Sequence, residues 1–191
     1  MTKISFAILF LIGLIVISEV MITGNVINSS EGFVNVSLES SIAINFTIDL
    51  IDFGSGSVYL NNSYATIDTR GNVQGGNWNP IDEGFLLENI GNTNVSIDLS
   101  FEKTAREYLG GTNPGYYFMF NNLEENSCLD SEMGYEEWVK VNNSEKIRIC
   151  NDFQFIDLND SLRIDLRLII PSDSIMGQRT NSITATATRM G

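Results

Sequence analysis

The chain has 191 residues, enough for one domain plus a targeting segment, and 43% of them are apolar, including 11 Phe, which excludes global disorder. Its formal charge is −13, from 24 acidic and 11 basic residues, so the surface repels phosphate backbones and anionic lipid and excludes nucleic acid as a partner. There is no histidine, which removes Ser-His-Asp and Cys-His chemistry.

In chain order, Met1 and Lys3 precede an apolar run from Ile4 to Ile17, interrupted by Ser18 and Glu19. A run of about 14 residues has signal-peptide length and is short of the ~20 that span a bilayer. Cleavage after Ser18 or after Gly24 satisfies the small-residue rule, and retention of residues 4–23 as an uncleaved helical anchor is the alternative. Residues 1–24 are therefore read as a signal peptide or N-terminal membrane anchor. Residues 25–191 are read as a single exported domain that meets a membrane only through that helix, if uncleaved.

The body of the chain reads as strands, because apolar residues recur at every second position. Ile42, Ile44, Phe46, Ile48 and Leu50 share one face of a strand over 42–50. Val95, Ile97, Leu99 and Phe101 do so over 94–101, and Leu162, Ile164, Leu166, Leu168 and Ile170 over 161–170, with Arg163, Asp165 and Arg167 opposite. Ile183, Ala185 and Ala187 alternate with Thr184, Thr186 and Thr188 near the end. Shorter strands are expected at 33–38, 57–60, 64–68, 84–89, 115–121, 138–142, 146–150 and 153–156. The spacing predicts a dry and a wet face for each strand, hence antiparallel sheets. Ile90-Gly91-Asn92-Thr93 reads as a hairpin turn, Pro171-Ser172-Asp173 with Gly177 as the last such connection, and 103–109 as a short helix ended by Gly110-Gly111. The fold class predicted is an all-β antiparallel sandwich, jelly-roll or Ig-like.

Cys128 and Cys150 are an even pair in an exported chain and are expected to form a disulfide, stabilising by about 3 kcal/mol. Seven sequons begin at Asn28, Asn35, Asn45, Asn61, Asn94, Asn142 and Asn159, and are candidate glycosylation sites. Asn35, Asn45 and Asn94 fall on the polar faces of their strands, where a glycan would reach solvent.

The chemistry-bearing residues are few. Glu124, Glu125, Asp130, Glu132, Glu136 and Glu137 surround Cys128 and offer hard oxygen ligands to Ca²⁺, or simply a solvated acidic loop, since no EF-hand spacing is present. Trp78 and Trp138 read as core packing or as a carbohydrate-stacking platform. Lys103, Lys140 and Lys146 could enter isopeptide cross-links. Gly54-Ser55-Gly56-Ser57 lacks the spacing of a nucleophile elbow and reads as a turn. No cofactor fingerprint is found, so the chain reads as a non-enzyme.

Three segments carry a family resemblance. Phe53-Gly54-Ser55-Gly56-Ser57-Val58-Tyr59-Leu60 and Phe85-Leu86-Leu87-Glu88-Asn89-Ile90-Gly91-Asn92 resemble strand and hairpin motifs of the TasA/camelysin group of secreted fibre-forming proteins. Ile169-Ile170-Pro171 through Gly177 to Ala185-Thr186-Ala187 resembles the closing hairpin of Ig-like modules in archaeal surface proteins. The whole chain is similar to short exported sandwich proteins of archaeal lineages. The resemblance implies a sandwich fold and a cell-surface role. The cysteine pair departs from the fibre group, and Asn25 to Leu38 is the stretch that could serve as a donor strand. The expected function is that of a non-enzymatic structural or adhesive surface protein, its partners being other surface proteins or copies of itself. The alternatives are a filament subunit assembling by β-strand complementation and a carbohydrate-binding module.

Overall fold

The computed structural model describes residues 34–131, 133–142 and 145–190. The leader or anchor of residues 1–24, Asn28 and Glu132 lie outside the described residues. The chain divides into two compact units, Met1–Leu38 and Glu39–Gly191. In the first, residues 34–38 form no strand, although one was expected over 33–38, and Val34, Val36 and Leu38 are 95%, 83% and 91% exposed. Alternation sets which side chains share a face, but a strand also needs a neighbour for its main-chain N–H and C=O groups.

The second unit is mostly β and its strands pair antiparallel. Its elements are β1 (Ile44–Ile48), β2 (Tyr64–Asp68), β3 (Val73–Gln74), β4 (Phe85–Asn89), β5 (Val95–Phe101), α1 (Ala105–Leu109), β6 (Gly115–Asn122), β7 (Val139–Lys140), β8 (Ile147–Phe153), β9 (Ser161–Pro171) and β10 (Ile183–Arg189). One sheet of seven strands is organised by β9, which pairs with β6 along one side. Along its other side β9 pairs first with β4 and then with β2, and β1 and β3 extend those two. A second sheet runs β10-β5-β8. Inward residues of both sheets, among them Ile67, Leu87, Ile97, Leu99, Phe101, Phe118, Phe120, Phe153, Ile164 and Leu168, form one apolar cluster. At roughly 25 cal/mol per Å² this burial is the main force holding the strands in register.

Helix α1 follows from local chemistry. Thr104 caps it, accepting from the Glu107 N–H while Glu107 accepts from the Thr104 N–H, a complete capping box. Gly110 ends it at φ 68°.

Several expectations need correction. Residues 90–93 are not a hairpin turn: β4 pairs with β1 and β9, whereas β5 pairs with β10 and β8, so the chain crosses between sheets there. The same is true of residues 172–182 between β9 and β10. Turn residues mark where a strand ends; they do not say which strand it meets next. The strand expected over 42–50 is only Ile44–Ile48, with a register shift between Phe46 and Ile48, and Ile42 and Leu50 beyond its ends are exposed. The strand expected at 57–60 is reduced to a single Val58–Gly76 bridge, 138–142 to two residues, and 146–150 joins part of 153–156 as β8.

Candidate functional site

The disulfide region is built from the acidic loop upward. Cys128 and Cys150 are bonded at S–S 2.01 Å, with Cα atoms 5.9 Å apart, and both are buried. Main-chain hydrogen bonds stitch the loop onto β8: Leu129 N–H donates to Asp152 O, Asn151 N–H to Asp130 O, and Gln154 N–H to Ser127 O. Asn122 accepts from the Cys128 N–H and Tyr135 donates its hydroxyl to Cys128 O. The outer edge of β8 is thereby covered. A disulfide of this kind belongs to oxidising surroundings.

The carboxylates around Cys128 are placed separately. Glu125, Asp130, Glu136 and Glu137 are exposed, while Glu124 accepts from the Asp160 N–H and Asp130 from Asn151. Among the described residues no group of three or more His, Cys, Asp or Glu side chains is arranged to hold a metal. Acidic charge converges instead at Asp160. Burial, then Glu124, Glu88 and Asp157, push its carboxyl above the usual carboxylate range. Sequence reading missed this cluster because β4, the 123–131 loop and the start of β9 meet only in the folded chain.

The sequons divide by geometry. Asn35, Asn45, Asn61 and Asn142 are exposed. Asn94, placed by alternation on a solvated face, is half-buried, its Nδ2 donating to Asp152 Oδ1 at 2.8 Å across to β8. Asn159 donates through Nδ2 to Glu125 O. In both, the nitrogen that a glycan would occupy is engaged in a hydrogen bond.

The outer face of the large sheet carries an ionic seam. Asp165, 1% exposed, accepts from Thr69 Oγ1 at 2.7 Å and from Arg163 Nε at 3.0 Å. Arg163 continues to Asp82 at 2.7 Å. One step along β9, Arg167 bonds the equally buried Asp68 at 3.1 Å and stacks over Trp138, 4.0 Å from the ring centroid. Gly84 leaves room for this packing, since a Cβ there would sit 2.8 Å from Asp165 Oδ1. The alternation predicted a wet face for Arg163, Asp165 and Arg167. It is a paired, largely dry one, because each buried charge has a partner.

Beside the seam lies an open depression of about 490 Å³, floored by Ile48, Leu86 and Leu123 and rimmed by Asp82, Glu83 and Arg163. Neither indole is a free platform: Trp138 is under Arg167, and Trp78 is packed where a Cβ on Gly56 or Gly76 would lie within 2.2 Å or 2.6 Å of its ring atoms. Lys103 donates to Thr180 O and lies 3.5 Å from Glu102, while Lys140 and Lys146 are exposed.

The sheet edges differ. β8 is covered by the disulfide loop, β1 is interrupted by its register shift, and β3 and β7 have two residues each. β10 pairs with β5 over seven consecutive residues without a shift, and among the described residues with no other strand. No family model, curated protein or solved structure matches the chain.

Proposed function

We propose that this chain is a non-enzymatic, exported structural or adhesive protein of a cell surface, built as a β-sandwich with the small sheet over the large one. The observation that carries the reading is the buried Cys128–Cys150 disulfide, which fastens an acidic, otherwise irregular loop to β8. The single apolar cluster drawn from both sheets supports the sandwich. The four exposed sequons suit a solvent-facing, glycosylated coat, and the resemblance to secreted fibre proteins and Ig-like surface modules agrees with it. The test is the intact mass of the protein isolated from its native cells. The expected species lacks the leader, or keeps it as an anchor, carries both cysteines oxidised and is glycosylated. A full-length, reduced, unmodified chain in the cytosol would sink the proposal.

A filament subunit is the second reading, supported by Val34, Val36 and Leu38, which alternate with Asn35 and Ser37 and are exposed. Such a segment can complete a neighbour's sheet, with main-chain hydrogen bonds supplying affinity. Fibres that form with rising concentration and vanish on deletion of residues 25–38 are the expected result; a chain that stays dispersed removes this reading.

A further inference from the structure

We infer that β10 is a homotypic docking edge, which joins the β10 of a second copy of this chain in antiparallel pairing and makes one continuous six-stranded sheet from two small sheets. The inference extends the surface-protein reading to a specific strand and does not require Val34–Leu38 to act as a donor.

The hydrogen-bond phase of β10 follows from its neighbour. Glu102 N–H donates to Ser182 O, and Ile183 stands opposite Phe101 in the register. Main-chain bonds to β5 therefore fall on Ser182, Thr184, Thr186 and Thr188, and the N–H and C=O groups of Ile183, Ala185, Ala187 and Arg189 point away from it. An edge of this length is normally blunted by Lys, Pro, a bulge or a covering loop. The sequence Ile-Thr-Ala-Thr-Ala-Thr-Arg has no Lys and no Pro, its pairing to β5 has no bulge, and among the described residues no other strand pairs with it, whereas the opposite edge of the same sheet is closed by the disulfide loop.

Charge selects the occupant. A chain of net charge −13 repels its own copies over most of its surface. After Asp173, however, the sequence contains Arg179 and Arg189 and no acidic residue, so the β10 edge is where two copies can approach. Geometry selects the orientation. With Thr186 opposite Thr186 of the second copy, the outward groups of 183, 185, 187 and 189 meet those of 189, 187, 185 and 183, for about eight main-chain hydrogen bonds. The two Thr186 side chains form the close, non-hydrogen-bonded pair that suits Thr. Each Arg189 then lies opposite Ile183 of the other copy, at the far end of the paired strands from the other Arg189. A parallel pairing would instead set Arg189 against Arg189.

The test is sedentation-based oligomer analysis of the purified full chain over a range of concentrations, and its decisive variant is Ala185→Pro. The Ala185 N–H points away from β5, so proline removes an outward donor without removing a bond to β5, and edge strands tolerate proline at such positions. A concentration-dependent dimer is expected, with A185P weakening it by at least about tenfold. Circular dichroism and the thermal midpoint of A185P should stay near those of the unmodified chain, which separates lost docking from lost folding. Deletion of residues 25–38 should leave the dimer intact. A monomer at every concentration, or a dimer indifferent to A185P, overturns the inference. Assembly abolished by the deletion also overturns it, and assigns the edge to the N-terminal segment, leaving the filament reading standing.

Discussion

In the large sheet, Leu162, Ile164, Leu166 and Leu168 of β9 enter the core, and Asp165 on the opposite face is as buried as they are, between the half-buried Arg163 and Arg167. In the small sheet, β10 is half-exposed or exposed at every position, and Asp98 of β5 answers Arg148 of β8 at 2.6 Å with the guanidinium partly in water. The two sheets are written with the same alternating code, yet the large one buries carboxylates completely on its polar face, with Thr69, Arg70, Asp82 and Trp138 brought over it by connecting segments, while Asp98 of the small one keeps 13% of its side chain exposed. The ion pairs of the large sheet therefore hold fully buried carboxylates, and that of the small sheet a carboxylate 13% exposed, whose loss leaves less charge stranded out of water.

The strongest way to break that contrast is Asp165→Ala. It removes the acceptor of the buried Thr69 hydroxyl and one of the two carboxylates that hold Arg163, Asp82 remaining, and we predict a loss of about 4 kcal/mol in urea unfolding. A loss under about 1 kcal/mol would mean that the outer face is wet after all. Next, replacing Cys128 and Cys150 together by Ala should cost about 3 kcal/mol and free the 123–131 loop from β8. Thermal melts and protease cutting within that loop report the two consequences, and an uncut loop would show that its main-chain bonds to Asn151, Asp152 and Gln154 suffice. Third, Asp98→Ala, the less buried counterpart in the small sheet, removes a two-pronged bond from Arg148 and should cost about 2 kcal/mol. Equal losses for the Asp165 and Asp98 variants would erase the distinction between the sheets.

The smallest effect has the opposite sign and sharpens the comparison at the end of β9. Burial and three neighbouring acids raise the folded-state pKa of Asp160, so the folded chain holds that proton more tightly than the unfolded one. Its contribution to stability is therefore present at low pH and lost as pH rises through the raised value. We predict that Asp160→Asn is more stable than the unmodified chain at pH 7 by about 0.5 kcal/mol, after allowance for solvent screening. The gain should fade toward pH ~4, where the unfolded carboxyl also takes up its proton. A gain that persists at pH 3 would contradict the electrostatic cause.

Much of the fold was legible before any coordinates. Val95 to Phe101 and Leu162 to Leu168 carry their faces in the primary structure because strand side chains alternate strictly, and burial rewards that alternation. Gly110-Gly111 announces the end of the short helix expected over 103–109, and Cys128 and Cys150 could pair only with each other. The acidic cluster at Asp160, the ionic seam and the engaged Asn94 were not legible. Each joins residues from separate stretches of chain, and no local period encodes which stretch will arrive.

What the amino-acid order settled by itself was the kind of element and the side that turns inward, since both depend on neighbours two to four residues away. Which strands became partners was decided in three dimensions, where residues 90–93 and 172–182 cross between sheets instead of folding back. So was the fate of the polar faces. A charged side chain stays in water unless a partner replaces the water it loses, and the tertiary fold supplied Arg167 for Asp68 and, beside the local Arg163, Thr69 for Asp165.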